Sequence, residues 1–263
     1  MLIITAKMRL VIPSNSSAKN FPQNTLAQFT VQLPQPIDLS KGRWEIGLSE
    51  IQFYKSWYNL TDAYISLEKH NSVLKVSLPD GYYATNEMLV NEMNNRMQQV
   101  FDNGVAEAIK FSYCEFNRSF QINLSKDNRD PLLGITVDFS KSLKAILNVD
   151  ELKLRDDDDD TTIITSTKPM RLNSIFNLMV YTDAAISTVV GDTETPLLRA
   201  VPVDEGHWKY QATTFTKIQY IPVSQKELRT ISIYIYTDYG DLVPFNDGKT
   251  IVTVDLRRAD TLL

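Results

Sequence analysis

Residues 44–53 read Trp-Glu-Ile-Gly-Leu-Ser-Glu-Ile-Gln-Phe, and their alternation decides the fold class. Trp44, Ile46 and Leu48 recur at every second position, and past Ser49 the apolar positions move by one to Ile51 and Phe53. A period of two belongs to a strand with one buried face, and a slip of phase by one residue is what a β-bulge or bend produces. The strand follows the turn Ser40-Lys41-Gly42. Upstream of it, Phe29-Thr30-Val31-Gln32-Leu33 alternates in the same way until Pro34 and Pro36, whose rings cannot donate into a central ladder.

Downstream, residues 63–67 and 73–78 read as two further strands about a turn at His70, Asn71 and Ser72. A helix follows, opened by Thr85 ahead of Asn86-Glu87-Met88, with Met88, Leu89, Met93, Met97 and Val100 at spacings of three to four, and ending near Asn103-Gly104. Residues 109–113 and 120–124 form a hairpin with Asn117 at its tip, Pro131-Leu132-Leu133-Gly134 is a loop, and residues 139–147 form a short helix. Strands resume at 163–165, 174–181, 197–201, 214–220, 230–236 and 251–256. Glycine is scarce at 9 residues, where average usage gives about 18, and the 12 Tyr and 11 Phe favour strands.

These elements predict an all-β chain, a jelly-roll β-sandwich of about ten strands with one longer helix inserted in the loops. Residues 1–24 read as an N-terminal arm, 25–258 as the jelly-roll domain, and 259–263 as a C-terminal tail. Within the domain, residues 155–162 form an acidic loop carrying Asp156, Asp157, Asp158, Asp159 and Asp160. Like charges this dense repel one another and stay in water. A calcium loop staggers its carboxylates around a turn glycine, which is missing here. Gly81 and Gly191 sit where the chain turns and are expected to need positive φ.

At 30.0 kDa the chain buries roughly 70 to 75% of its unfolded surface, so neither a disulfide nor a structural metal is needed. One cysteine, Cys114, excludes a disulfide scaffold or a Cys-rich zinc site and reads as a small buried hydrophobe on a strand. With 27 basic and 32 acidic residues, a net of -5 and no basic run, no specific nucleic-acid site is expected. No apolar stretch approaches the roughly 18 residues of a membrane span, and Leu2-Ile3-Ile4 is broken by Lys7 and Arg9 before it could serve as a signal peptide. The expectation is a soluble intracellular product of a reducing compartment, where the sequons at Asn15, Asn59, Asn117 and Asn123 have nothing to act on.

No catalytic, cofactor-binding or metal-ligating set emerges. Gly240 through Gly248-Lys249-Thr250 ends like a phosphate loop, but seven residues separate the glycines and Ile251-Val252-Thr253-Val254 follows as a strand, so Asn246-Asp247-Gly248-Lys249 reads as a hairpin turn. His70 and His207 belong to no paired motif, and no Gly-x-Ser-x-Gly elbow occurs. What remains are aromatics: Trp57 and Tyr58 beside Phe53 and Tyr54, the pair Tyr82-Tyr83, and His207-Trp208-Lys209-Tyr210. Each cluster fits core packing, a protein interface or a sugar platform.

The order of three segments, residues 29–34, Gly42-Arg43-Trp44-Glu45-Ile46-Gly47-Leu48 with its continuation to Ile51, and Leu78-Pro79-Asp80-Gly81-Tyr82-Tyr83, resembles the minor capsid, or penton, proteins of Polinton (Maverick) elements and adintovirus-like viruses. Residues 176–183 (FNLMVYTD), Val190-Gly191-Asp192 before Pro196-Leu197-Leu198-Arg199, and residues 233–240 (IYIYTDYG) extend the resemblance over about residues 25–258. It implies a jelly-roll subunit forming a homopentamer at the vertices of an icosahedral virion capsid, beside a double jelly-roll major capsid protein. The five aspartates lie outside that pattern. The alternatives are a cellular carbohydrate- or protein-binding β-sandwich and an enzyme acting on glycans with carboxylates from distant strands. Oligomeric state separates them, because a fivefold ring repeats one heterologous contact.

Overall fold

The phase slip at Ser49 is a bulge in the computed structural model, which describes residues 7–69, 72–100, 109–124, 135–149, 152–153, 163–172, 175–204 and 206–259. Strand β3, Trp44–Tyr54, pairs with β18, Ile251–Arg258, such that Glu50 faces Thr253 while Leu48 faces Val254, leaving Ser49 without a ladder partner. The Ser49 hydroxyl is buried and donates to the Thr253 carbonyl at 3.1 Å. The bulge directs Ile46, Leu48, Ile51 and Phe53 to the same side, all with no solvent exposure.

Residues 25–258, expected as a single jelly roll, divide by their contacts into two compact units, one formed by Met1–Trp57 with Ile175–Leu263 and the other by Tyr58–Ser174. The first is the jelly roll. One sheet orders β1 (Lys7–Pro13), β18, β3 and β15 (Tyr210–Thr214), with the short β16 (Ile221–Pro222) also on β3. The other orders β14 (Leu197–Pro202), β11 (Asn177–Thr182), β17 (Glu227–Thr237) and β2 (Gln28–Asp38). Taking β1, β2, β3, β11, β14, β15, β17 and β18 as first to eighth, the sheets read 1-8-3-6 and 5-4-7-2, the doubled Greek key of a jelly roll. Ile46, Leu48, Phe53, Val252 and Val254 of one sheet and Phe29, Leu178, Val180, Ile231, Ile233 and Ile235 of the other close a single core. A hairpin of β12 (Thr188–Val190) and β13 (Thr193–Thr195) turns through Gly191 at φ +63, as expected of that glycine, whereas Gly81 bridges Leu60 without positive φ.

The strand expected at 214–220 is displaced, and the bulge explains why. β15 pairs with β3 from Tyr54 to Glu50, stops at Thr214, and β16 resumes the pairing only at Ile46 and Glu45. Between them the chain arches over the bulge, with Phe215 N donating to Ser49 O at 2.9 Å. Gly47 makes room: a Cβ there would collide with Gln219 O and with Ile218 Cγ2. The turn read at Asn246-Asp247-Gly248-Lys249 is likewise not a hairpin, since β17 and β18 lie in opposite sheets. It is a bend tied to Ser56, whose hydroxyl donates to Asp247 O at 2.8 Å and accepts from the Asn246 and Asp247 amides.

Part of the segment read as an arm, β1, is an edge strand of the jelly roll, paired with β18 from Ile251 to Arg257. Its cross-strand lock is Asp255, fully buried and accepting from Lys7 Nζ at 2.7 Å and Arg9 Nε at 3.2 Å. Burial alone would raise this carboxyl, but the hydrogen bonds from Lys7 and Arg9 together outweigh it and hold the pKa below the ordinary carboxylate value.

The second unit orders β5 (Ser72–Ser77), β4 (Tyr64–Lys69), β8 (Ile135–Phe139) and β9 (Leu152–Lys153) in one sheet and β10 (Ile163–Thr165), β7 (Ser119–Leu124) and β6 (Ile109–Cys114) in another, with helices α1 (Asn86–Val100) and α2 (Lys141–Leu147). The Thr85 hydroxyl caps α1 by accepting from Met88 N at 3.1 Å. Its buried stripe is Leu89, Val90, Met93 and Met97; Met88 and Val100, expected inside, are exposed. Asn94 grips the backbone of edge strand β6, donating to Phe111 O at 2.8 Å and accepting from Phe111 N at 2.9 Å. The helix expected over 139–147 begins only after Ser140, whose hydroxyl accepts from Leu143 N. Cys114 ends β6 half-buried rather than buried. The acidic run at 156–160, the turn at His70 and the loop at 131–134 lie outside the described residues.

Gly47→Ala is expected to destabilise by about 1 to 3 kcal/mol, because backbone at Gln219 must move to admit the methyl group. Gly191→Ala is expected to cost about 1 kcal/mol through its left-handed backbone, and Gly81→Ala, with open space around it, very little. Denaturant unfolding of the three variants checks the ranking. Asp255→Ala is expected to cost about 2 kcal/mol at neutral pH, the worth of hydrogen bonds to a charged group. Since the folded carboxyl has a lowered pKa, this stabilisation is complete above the unfolded value near 4 and fades as pH falls through the folded one, so wild type and variant should converge in acid. A difference in melting temperature that persists unchanged at pH 2 would contradict this.

Candidate functional surface

The aromatics grouped in the sequence separate into core and surface. Phe53 and Trp57 are buried and stack at 6.3 Å, and Phe245 closes on both at 6.1 and 5.7 Å. His207 meets Trp57 edge-on at 6.2 Å and Trp208 at 4.7 Å. Its pKa is lowered, first by burial and then by the Lys55 charge. Lys55 itself is buried, with its ammonium donating to Asp204 O at 2.9 Å, and burial depresses its pKa. Outside this cluster Trp208 and Tyr210 are 50% and 54% exposed. Trp208 holds φ +54, a conformation that costs a bulky residue backbone strain, and its ring lies 6.1 Å from Tyr54. In the second unit Tyr83 is buried, its hydroxyl donating to Pro79 O at 2.8 Å; burial pushes its pKa up to about 12. Asn59 holds the Tyr83 backbone at both its amide and carbonyl. The turn at Asn117 presents Phe116 almost fully to solvent.

A second aromatic surface was not among the sequence candidates. β11 and β17 send Leu178, Val180, Ile233 and Ile235 into the core, so the pleat puts Met179, Tyr181, Tyr234 and Tyr236 on the opposite face. Tyr181 pairs directly with Tyr234 and meets Tyr236 edge-on at 5.6 Å. These three rings, with Thr195, Pro196 and Gly240, line an open groove of ≈ 380 Å³. Gly240, at φ +90, lies in a loop folded back on β17 by hydrogen bonds from Thr237 N to Asp241 O and from Gly240 N to Thr237 O. Beside the groove Val189 and Tyr239 are 75% and 72% exposed.

The charge around this groove has one sign. Residues 175–198 and 230–241 contain Asp183, Asp192, Glu194, Asp238 and Asp241 and no Lys or Arg. Asp183 is bound by the Ser232 amide and hydroxyl, both at 2.8 Å, while Glu194, Asp238 and Asp241 are exposed beside lining residues. Arg199 on β14 is turned elsewhere, 3.8 Å over the Phe215 ring and donating to Lys217 O. Among the described residues no group of three or more His, Cys, Asp or Glu could hold a metal ion, and no helix is long and apolar enough to cross a membrane.

Neither a scan of protein-family models nor a search of curated proteins finds a match. Among solved structures, 97% of this chain is similar to 100% of the mavirus penton protein chain, with a TM-score of 0.50 and 10% identity. The fold is shared with the mavirus penton protein. A chain of the Sputnik virophage, solved by cryo-EM at 3.5 Å, is also similar, covering 98% of this chain and 99% of its own at TM-score 0.48 and 9% identity. At 10% identity the mavirus penton protein supplies the fold, and residue roles rest on this chain's own geometry.

The signal for the groove was present as the alternation Ile233-Tyr234-Ile235-Tyr236, which places two tyrosines on one face. The division of the other aromatics is testable. Trp57→Ala is expected to cost about 3 to 5 kcal/mol as a buried large-to-small change, whereas Trp208→Ala should stay within about 1 kcal/mol. Chemical denaturation of the two variants checks this, and equal losses would contradict the separation of core from surface.

Proposed function

We propose that this chain is a structural virion protein, the penton or minor capsid subunit that closes in fives at the vertices of an icosahedral shell. The observation that carries this reading is the fold likeness to the mavirus penton protein, whose coverage leaves no whole domain unmatched on either side. The order of sequence segments that resembles Polinton and adintovirus-like pentons supports it independently. On this reading its place is the virion capsid, its partners are its own copies and a double jelly-roll major capsid protein, and its role is assembly rather than catalysis or nucleic-acid binding. Exposed aromatics on the jelly roll fit such a role, since interfaces are enriched in Tyr, Trp and Phe.

The second reading, a carbohydrate-binding β-sandwich, has the tyrosine groove in its favour. Native mass spectrometry of the chain, alone and mixed with its major capsid protein, decides between them. Five 30.0 kDa subunits in a closed ring are expected at about 150 kDa, with fivefold symmetry in images of the assembly. An assembly with only twofold contacts, together with specific glycan binding, would sink the penton reading.

A further inference from the structure

The tyrosine groove has a complement on the same jelly roll. Leu39 N donates to Lys226 O and Ala259 N to Arg43 O, both at 2.8 Å, which gathers the turn at 39–43 and the approach to β17 at one corner. That corner exposes Lys41, Arg43 and Lys226, beside the cross-strand pair of Asp38 and Glu227, which are exposed as well. β17 runs from this corner to the groove, and the ten residues from Lys226 to Tyr236 span roughly 33 Å at about 3.3 Å each. Several Debye lengths, each about 8 Å at physiological salt, therefore separate the acidic rim from the basic corner within one molecule. Between copies the two can meet.

We propose that the groove is an intersubunit socket, in which Tyr181, Tyr234 and Tyr236 receive the Lys41 and Arg43 turn of a second copy while Glu194, Asp238 and Asp241 face its charges. This rests on the reading of the chain as a ring-forming subunit. A chain of net charge -5 repels its copies unless opposite charges are brought together, and here the exposed Lys41, Arg43 and Lys226 outnumber Asp38 and Glu227 at the corner while the groove rim is acidic. Because socket and corner are different surfaces, the contact is heterologous, the kind that closes rings. Tyrosine faces attract ammonium and guanidinium groups. The molecule already uses that chemistry internally, with Arg257 3.5 Å over Tyr220 and Lys75 4.4 Å over Tyr64. Arg199, engaged at Phe215, leaves the socket without an internal cation.

The test measures association of the full chain by native mass spectrometry and sedimentation, in low and high salt. Tyr234→Ala with Tyr236→Ala, Asp238→Lys with Asp241→Lys, and Lys41→Glu with Arg43→Glu are each expected to raise the dissociation concentration by about tenfold or more, since each removes a central pair of contacts. High salt should weaken the wild type in the same direction. Combining both charge reversals in one chain is expected to restore association, a rescue that a merely structural role cannot produce. Should the tyrosine variant fail to fold, the charge reversals, all at exposed positions, carry the test. A 150 kDa wild-type ring of about five subunits that survives every variant overturns the socket and leaves the penton reading standing. A dimer or another ring that the same variants dissolve upholds the socket and removes the fivefold reading. A wild type that stays monomeric, alone and with its major capsid protein, overturns both, and maltotetraose binding lost in the tyrosine variant with association intact assigns the groove to a glycan instead.

Discussion

Strand β3 can bury Ile46 and Leu48 on one side of Ser49 and Ile51 and Phe53 on the other only if one residue is dropped from the ladder. Without that bulge, half of the strand would turn its apolar side chains to the wrong face of the sheet. The consequences spread to both neighbours. β18 absorbs the slip between Thr253 and Val254, and the strand on the other edge is divided into β15 and β16, with the intervening chain lying against Gly47. The buried serine hydroxyl is satisfied by the Thr253 carbonyl, so the bulge leaves no polar group stranded in the core.

With the inner faces committed to the core, the outer faces are where the jelly roll can meet other molecules. The pleat that sends Ile233 and Ile235 inward turns the half-buried Tyr234 and Tyr236 to the outer face, and pairing with β11 adds Tyr181 beside them. The acidic residues around these rings come from two separated stretches of chain, brought together because β11 and β17 are neighbours in one sheet.

Sequence patterns were legible wherever a local rule was sufficient. The α1 cap at Thr85, the bulge at Ser49 and the left-handed turn at Gly191 each follow from the residues in place. The division into two units was not legible, because residues on both sides of Trp57 have the same strand-rich composition and no Gly- or Pro-rich linker marks the passage. Trp57 and Trp208 were equivalent as surface candidates in sequence. Only the closing of Phe245 and His207 around Trp57 buries one of them while leaving the other at the surface.

The sequence by itself determined that the chain is built of strands with one apolar face and where its long helix begins. These properties depend on periodicity and on residues within a few positions of one another. Tertiary structure decided which strands are neighbours: that β1 belongs to the sheet through Asp255, that residues 215–220 leave the ladder, and that three tyrosines from two strands form one groove. Those outcomes depend on contacts between residues dozens to hundreds of positions apart. A period of two says which side chains share a face, but the partner strand decides what that face will touch.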